Sequence, residues 1–312
     1  MIEIKELIKN YGEVRAVDRI SCQIAQGECV GLLGLNGAGK TTLLRILACL
    51  LTPTSGTVTV DGHDVVRQPE QVRRLIGYLP EEPPLYLEMR VADFLAFVAG
   101  IRGVPRMDTG GRVQQALQRC QLEHMAGERI ETLSYGYRKR VGIAQAIVHN
   151  PPLVILDEPI AGLDPAQIVE MRELIRALRG EHTLVLSSHI LAEISQTCDR
   201  LLVLQRGRLV GSGTEEEIAG SSGREFRLEV LLRGQRALVE QALGQVEDID
   251  ERQLEQRGPD ELLLRVVSSQ DVRAQLAAQL VGAGLQLLEL RRQRDQLEEV
   301  FLKLTGSKEG AS

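Results

Sequence analysis

"GLNGAGKTT", residues 34–42, stands between the apolar run "CVGLL" of residues 29–33 and "LLRILACLL" of residues 43–51. Two stretches that favour burial are therefore joined by three glycines and a lysine. The spacing of Gly34, Gly39, Lys40 and Thr41 is that of a phosphate-binding loop. The motif requires a strand before it and a helix after it, and the patterning predicts a strand at 28–33 and a helix at 41–50. Glycines let the main chain close around phosphates with successive N–H groups pointing inward, and the following helix adds the positive end of its dipole. Lys40 is placed to reach the β- and γ-phosphates, and Thr41 holds the hydroxyl position that ligates Mg²⁺. Gly34, Asn36, Gly37, Ala38, Gly39, Lys40, Thr41 and Thr42 form the candidate nucleotide-binding set.

A second constellation is "PPLVILDEP", residues 151–159. Its unbroken apolar run reads as a strand buried on both faces of a parallel sheet. In such sheets ligands sit beyond the carboxyl ends of the strands, which puts Asp157 and Glu158 beside the phosphate loop. Neighbouring strand side chains point to opposite sides, so the two acids are expected to divide the work. Asp157 is assigned to the Mg²⁺ shell. Glu158 is assigned to polarise the attacking water as general base.

Composition bounds the rest. The chain has 312 residues, 43% of them hydrophobic, which is enough for one large domain and a smaller one. A net charge of −6 disfavours nucleic acid as a partner, although "RKR" at 138–140 reads as a possible local basic patch. Five dispersed cysteines, none in a C-x-x-C pair, fit a reducing compartment without a zinc site. The amino terminus lacks the pattern of a signal peptide. No window approaches the ~18 apolar residues of a membrane span, so a cytoplasmic protein is expected.

The stretch "LSYGYRKRVGIAQAIVHNPPLVILDEPIAGLDP", residues 133–165, sets a Leu-Ser-x-Gly turn and a helix before the acidic strand and "AGLDP" after it. With the phosphate loop, this resembles the nucleotide-binding subunit of an ATP-binding cassette (ABC) transporter over residues 1–220. The resemblance implies a P-loop NTPase α/β core with an antiparallel β subdomain and a helical subdomain at about 85–150, binding ATP and Mg²⁺. Tyr11 would then stack on adenine, although on sequence alone it is a turn tyrosine. Ser134 and Gly136 would offer donors to a γ-phosphate from the start of a helix at 137–149, while the spacing alone reads Ser134 as a helix cap. His189, ending the apolar run "LVLSS", would hydrogen-bond the γ-phosphate and hold Glu158. Without the resemblance it is a packed or capping residue. Asp164 would lie at a subunit boundary, and the spacing also reads it as the cap of a helix begun by Pro165.

Two motifs depart from the family pattern. Tyr135 and Tyr137 replace the usual glycine and glutamine of L-S-G-G-Q, and Glu81 stands where a glutamine is expected after "IGYLP". Glu81 keeps an oxygen for Mg²⁺ but adds negative charge near the nucleotide. The "IGYLPE" and tyrosine-rich signature resemble a bacterial exporter subgroup that includes gliding-motility and drug or peptide export ATPases. Catalysis is thereby expected from Glu158, His189 and Lys40, with Thr41, Asp157 and Glu81 at the metal.

Residues 1–27 and 55–79 alternate short β-rich runs with turns and are expected in the antiparallel sheet. "VADFLAFVAGIRG" and "GRVQQALQRCQLEHM" carry helical spacing. The Gly/Ser run at 220–223 marks a boundary, after which residues 224–312 read as a carboxyl-terminal α+β domain. Its order to residue 291 is β-α-β-β-α-β, the split arrangement of ferredoxin-like domains. A closing helix, "DQLEEVFLKLT", would present Leu297, Val300, Phe301 and Leu304 along one side. The resemblance implies an integral membrane permease as partner, a homodimer or a heterodimer of cassettes, and a place at the cytoplasmic face of the membrane. Two alternatives are a soluble ABC ATPase acting on ribosomes or DNA and a non-catalytic regulatory cassette. The first usually has two cassettes or a long coiled coil. The second usually lacks one of Lys40, Glu158 and His189.

Overall fold

The computed structural model describes residues 1–215, 217–218, 226–244, 246, 248–258 and 260–293. The chain divides into two compact units, Met1–Thr214 and Glu215–Ser312. The Gly/Ser run at 220–223 and the closing helix expected at 295–305 lie outside the described residues.

The first unit opens with β1 (Ile2–Tyr11), β2 (Val14–Ile24) and β3 (Cys29–Leu33), followed by α1 (Lys40–Leu47), β4 (Ser55–Val60) and β5 (His63–Asp64). Then come α2 (Pro69–Leu75), β6 (Ile76–Leu79) and the helices α3 (Val91–Ile101), α4 (Arg106–Arg119) and α5 (Tyr135–Ile147). It closes with β7 (Leu153–Leu156), α6 (Pro165–Leu178), β8 (Thr183–Ser188), α7 (Leu191–Ser195), β9 (Arg200–Gln205) and β10 (Arg208–Gly213). These strands form two sheets. One is antiparallel, in the order β2-β1-β4-β5, and the other runs β10-β9-β3-β8-β7-β6, parallel except for β10 at its edge.

Strand alternation sorts the parallel sheet between two cores. Val30 and Leu32 of β3, with Leu153 and Ile155 of β7, face α1 and the antiparallel sheet. Cys29, Val154, Leu156, Leu184 and Leu186 face the helical side, with Phe94, Leu117, Ile143 and Leu174. α1 buries Leu43, Leu44, Ile46 and Leu47, each worth about 1.5–3 kcal/mol against exposure.

The expectation that residues 55–79 belong to the antiparallel sheet fails for its last strand. β6 pairs in parallel with β7 and carries its neighbouring loop to the acidic strand end. The missed element is α2, which reverses the chain from β5 before β6 begins. "IGYL" is buried at all four positions, the pattern of a parallel strand covered on both faces, although β6 stands at the sheet's edge. Gly77 allows α5 to seat directly on β6, because a Cβ there would lie 1.9 Å from the Ala146 carbonyl oxygen. The helices also begin earlier than their apolar spacing suggests. α4 starts at Arg106, and α5 starts at Tyr135 rather than 137 because Ser134 caps it.

His149, just beyond α5, sets its Nε2 3.1 Å from the Ile76 carbonyl oxygen, so that nitrogen carries the proton. Its Nδ1 is buried without a partner. Burial first, then the Arg102 charge, lowers its pKa from an ordinary 6.5 to about 4, against the opposing hydrogen bond to Ile76. A base with a depressed folded pKa binds more protons when unfolded. Its stabilisation is therefore complete above pH 6.5 and is lost as pH falls towards 4, by up to about 3 kcal/mol. His149→Gln, which keeps an N–H for Ile76, should show a smaller drop in urea midpoint between pH 7 and pH 5. Equal drops in the two proteins would exclude this role.

The second unit contains β11 (Phe226–Arg233), α8 (Arg236–Leu243), β12 (Ile249–Gln256), β13 (Glu261–Ser268), α9 (Arg273–Gly282) and β14 (Gln286–Gln293). Its sheet is wholly antiparallel in the order β12-β13-β11-β14, which is the split β-α-β arrangement. Leu228, Val230, Leu232, Leu262, Leu264 and Val266 form one face over Val239, Leu243, Leu276 and Leu280 of the two helices. On the other face Glu229 is bound by Arg265 and Arg291, and hydrogen bonds from Arg291 first, then Arg265, hold its carboxyl below the usual carboxylate range.

Candidate active site

Four neighbouring strands of the parallel sheet release their carboxyl ends at one place. β3 leads into the glycine loop, β8 into His189, β7 into Asp157 and Glu158, and β6 towards Glu81. The loop turns at Gly37 (φ 80°) and Gly39 (φ 103°). A Cβ on Gly39 would lie 2.4 Å from the Ala16 carbonyl oxygen, so both its backbone conformation and its surroundings require glycine.

Lys40 begins α1 and curls back over the loop. Its Nζ donates to the Gly34 carbonyl at 2.7 Å and lies 3.4 Å from Glu158 Oε1. Both side chains are buried, so each charge relies on the other and on its hydrogen bonds. His189 Nδ1 stands 3.0 Å from Glu158 Oε2. A carboxylate only accepts, so this contact needs the proton on Nδ1. Asp157 is 1% exposed. Its Oδ1 accepts from Ser187 Oγ at 2.6 Å and from Thr41 Oγ1 at 3.3 Å.

The two acids do divide their partners, but strand alternation is not the cause. β7 ends at Leu156, and Glu158 has φ 47°, a left-handed residue that turns its carboxylate towards Lys40 and His189. Ser187 fixes that turn, accepting the Glu158 N–H at 2.8 Å while donating to Asp157. Ser187 is a functional residue outside the set expected from the sequence. The doubled serine of "LVLSSHI", at the end of a strand beside the acidic one, was its available signal.

The charge run also conceals Lys139. The "RKR" patch places only Arg138 near the surface, whereas Lys139 is fully buried and Arg140 is 7% exposed. Lys139 Nζ donates to the main-chain carbonyls of Glu81 and, at 3.2 Å, of Glu158. Burial lowers its pKa from the ordinary lysine value, and the carboxylates of Glu81, Asp157, Glu158 and Glu82 oppose that shift. Position 139 shares the inward helix face with Gly136 and Ile143, a spacing that the charge run obscured. Arg140 binds Gln121 and Glu170.

The remaining candidates lie elsewhere on the first unit. Glu81 is exposed and joins the site through its carbonyl. Tyr11 ends β1 half-exposed, with Lys9 Nζ 5.3 Å from its ring centroid. Ser134 caps α5 and Asp164 caps α6, accepting the N–H groups of Tyr137 and Gln167. Gly136 packs against Gln167, where a Cβ would lie 2.7 Å from Oε1. Tyr135 lies against Gly162, while Tyr137 stacks edge-on with His124 and sets its hydroxyl 3.3 Å from that ring.

A glycine loop after a central parallel strand, a lysine folded over it, a threonine joined to a buried aspartate and a glutamate held by histidine define a P-loop nucleoside-triphosphate hydrolase. Residues 17–161 match the family model described as ABC transporter. The bacitracin transport ATP-binding protein BcrA of Bacillus licheniformis is 34% identical over 308 residues, covering 98% of this chain and 97% of that protein. The daunorubicin resistance ATP-binding protein DrrA3 of Streptomyces coeruleorubidus is 34% identical over 96% of this chain and 93% of its own length. The dimeric structure of MJ0796, a bacterial ABC transporter cassette, matches 69% of this chain and 98% of that one, with a TM-score of 0.63 and 26% identity. The chain belongs to the ABC transporter family, as an ATP-binding and ATP-hydrolysing subunit of exporter type.

Proposed function

We propose that this subunit binds ATP with Mg²⁺ between two cassettes and drives export through a separate integral membrane permease, at the cytoplasmic face of the membrane. The observation that carries the reading is the convergence of Lys40, Asp157, Glu158 and His189 at neighbouring strand ends. Dimeric cassette structures among its relatives, and relatives named as ATP-binding proteins of transport and resistance systems, support the assembly. No described helix is long and apolar enough to cross a membrane.

The donor chemistry fits Mg²⁺. Thr41 and Asp157 offer adjacent hard oxygens, and no cluster of three or more His, Cys, Asp or Glu occurs among the described residues. This suits a cation that takes one or two protein oxygens and the rest from phosphate and water. When bound, Mg²⁺ would neutralise phosphate charge. Lys40 would exchange the Gly34 carbonyl for the β- and γ-phosphate oxygens, while Glu158 accepts a proton from water and His189 holds it in place. Tyr11 would stack on adenine. Ser134 and Gly136 would complete the partner's site, with Asp164 at the boundary.

Two measurements test this reading: ATP turnover by the purified chain, and its co-purification with a multi-span membrane protein encoded by a neighbouring reading frame. A chain that turns over ATP but co-purifies with no membrane protein would favour a soluble ATPase. If the Glu81 carboxylate contributes at the metal, Glu81→Gln should move the Mg²⁺ dependence of turnover to higher concentration. Metal-free nucleotide affinity should stay equal or rise as a negative charge is removed. Superimposable Mg²⁺ titrations would make Glu81 a bystander.

A further inference from the structure

Lys139 occupies a place where an apolar side chain would pack without removing a charge from water, a transfer that costs several kcal/mol. Its bonds explain what an apolar residue would lack. Lys139 Nζ reaches the carbonyls of Glu81 and Glu158, and the Tyr135 ring centroid lies 5.6 Å away. Both acceptors are main-chain atoms, so the lysine fixes backbone rather than neutralising a carboxylate. The same two segments are also tied to one another, since the Asp157 N–H donates to the Leu79 carbonyl at 2.9 Å. Lys139 therefore joins α5, the segment after β6 and the end of β7 at one ammonium group.

We infer that Lys139 is a positioning residue that locks the main chain of Glu81 and Glu158 to the signature helix, coupling the two ATP sites of a cassette dimer. The inference rests on the proposed dimer, in which Ser134 and Gly136 face the partner's nucleotide while Glu158 serves its own. Ser134 caps the helix that carries Lys139 five residues further on. A shift of α5 imposed by one nucleotide is thus passed to the backbone of the glutamate that serves the other. Displacements of about 1 Å at a catalytic group can change rate on the order of 10²-fold.

The test compares Lys139→Met and Lys139→Arg with the unsubstituted full-length protein. The Met variant should lose kcat by about tenfold or more, with ADP affinity changed by less than about twofold because the glycine loop is intact. Its ATP dependence should lose cooperativity. Arginine, which can still donate to both carbonyls, should restore most of kcat and the cooperativity. Without nucleotide, amide hydrogen exchange in segments 79–83 and 157–161 should be faster in the Met variant, a readout independent of ATP turnover and of dimerisation. If the Met variant does not fold, Lys139→Gln takes its place with the same expected split between kcat and ADP affinity. Unaltered kcat and unaltered exchange in the neutral variant, or an arginine variant as impaired as the neutral one, overturns the proposal.

Discussion

With Glu158 replaced by glutamine, the purified protein should elute as a monomer without nucleotide and as a dimer in ATP. Glutamine retains the size of the side chain but cannot take a proton from water, and losing a general base slows turnover by about 10²–10⁴-fold. The donors expected to hold the partner's γ-phosphate, Ser134 and the Gly136 backbone, are untouched. ATP bound between two cassettes would therefore remain intact and keep them together. Adding Ser134→Arg puts bulk at the capping position of α5, against the bridged phosphate, and should return the protein to monomer. A dimer that persists in the double variant would remove Ser134 from the interface.

Lys40→Ala should weaken ATP binding by about 10²-fold or more and reduce turnover to background. Truncating one member of a buried charge pair costs about 2–5 kcal/mol. Here the loss has two parts, the ammonium itself and a Glu158 carboxylate left without its neighbouring cation. Thermal unfolding separates nucleotide binding from damage to the fold. ATP should raise the midpoint of the unsubstituted protein and leave that of the Ala variant unmoved, because only a ligand bound to the native state stabilises it. A variant still stabilised by ATP and still turning over would refute the role given to Lys40.

The sequence was most readable where one residue type has few other uses. Three glycines with Lys40 and Thr41, framed by apolar runs, need a phosphate loop, and the loop lies between β3 and α1. "LVIL" and "TLVLSS" are continuous apolar runs and became inner strands. "IGYL" has the same character, but four residues beside turn-rich sequence do not specify which sheet they join; burial on both faces decided it. Lys139 escaped because a charge run ordinarily marks a solvated face, and only the carbonyls of distant segments make its burial tolerable. The division between Asp157 and Glu158 followed from chemistry, but the turn that achieves it depends on Ser187, 30 residues beyond Asp157. The doubled serine marks the strand end, but nothing local to it names Asp157 as the partner.

Glu158 has a consequence for how far this protein can be stabilised. A non-glycine residue in an uncommon backbone region carries strain of about 1–3 kcal/mol, held in place by its surroundings. Glycine is the usual remedy at such a position, but it would remove the carboxylate that the chemistry requires. Optimising this turn for folding alone would therefore work against activity, and added stability has to come from residues away from it. The turn after β7 is a fixed thermodynamic debt that the rest of the unit must carry for as long as the subunit hydrolyses ATP.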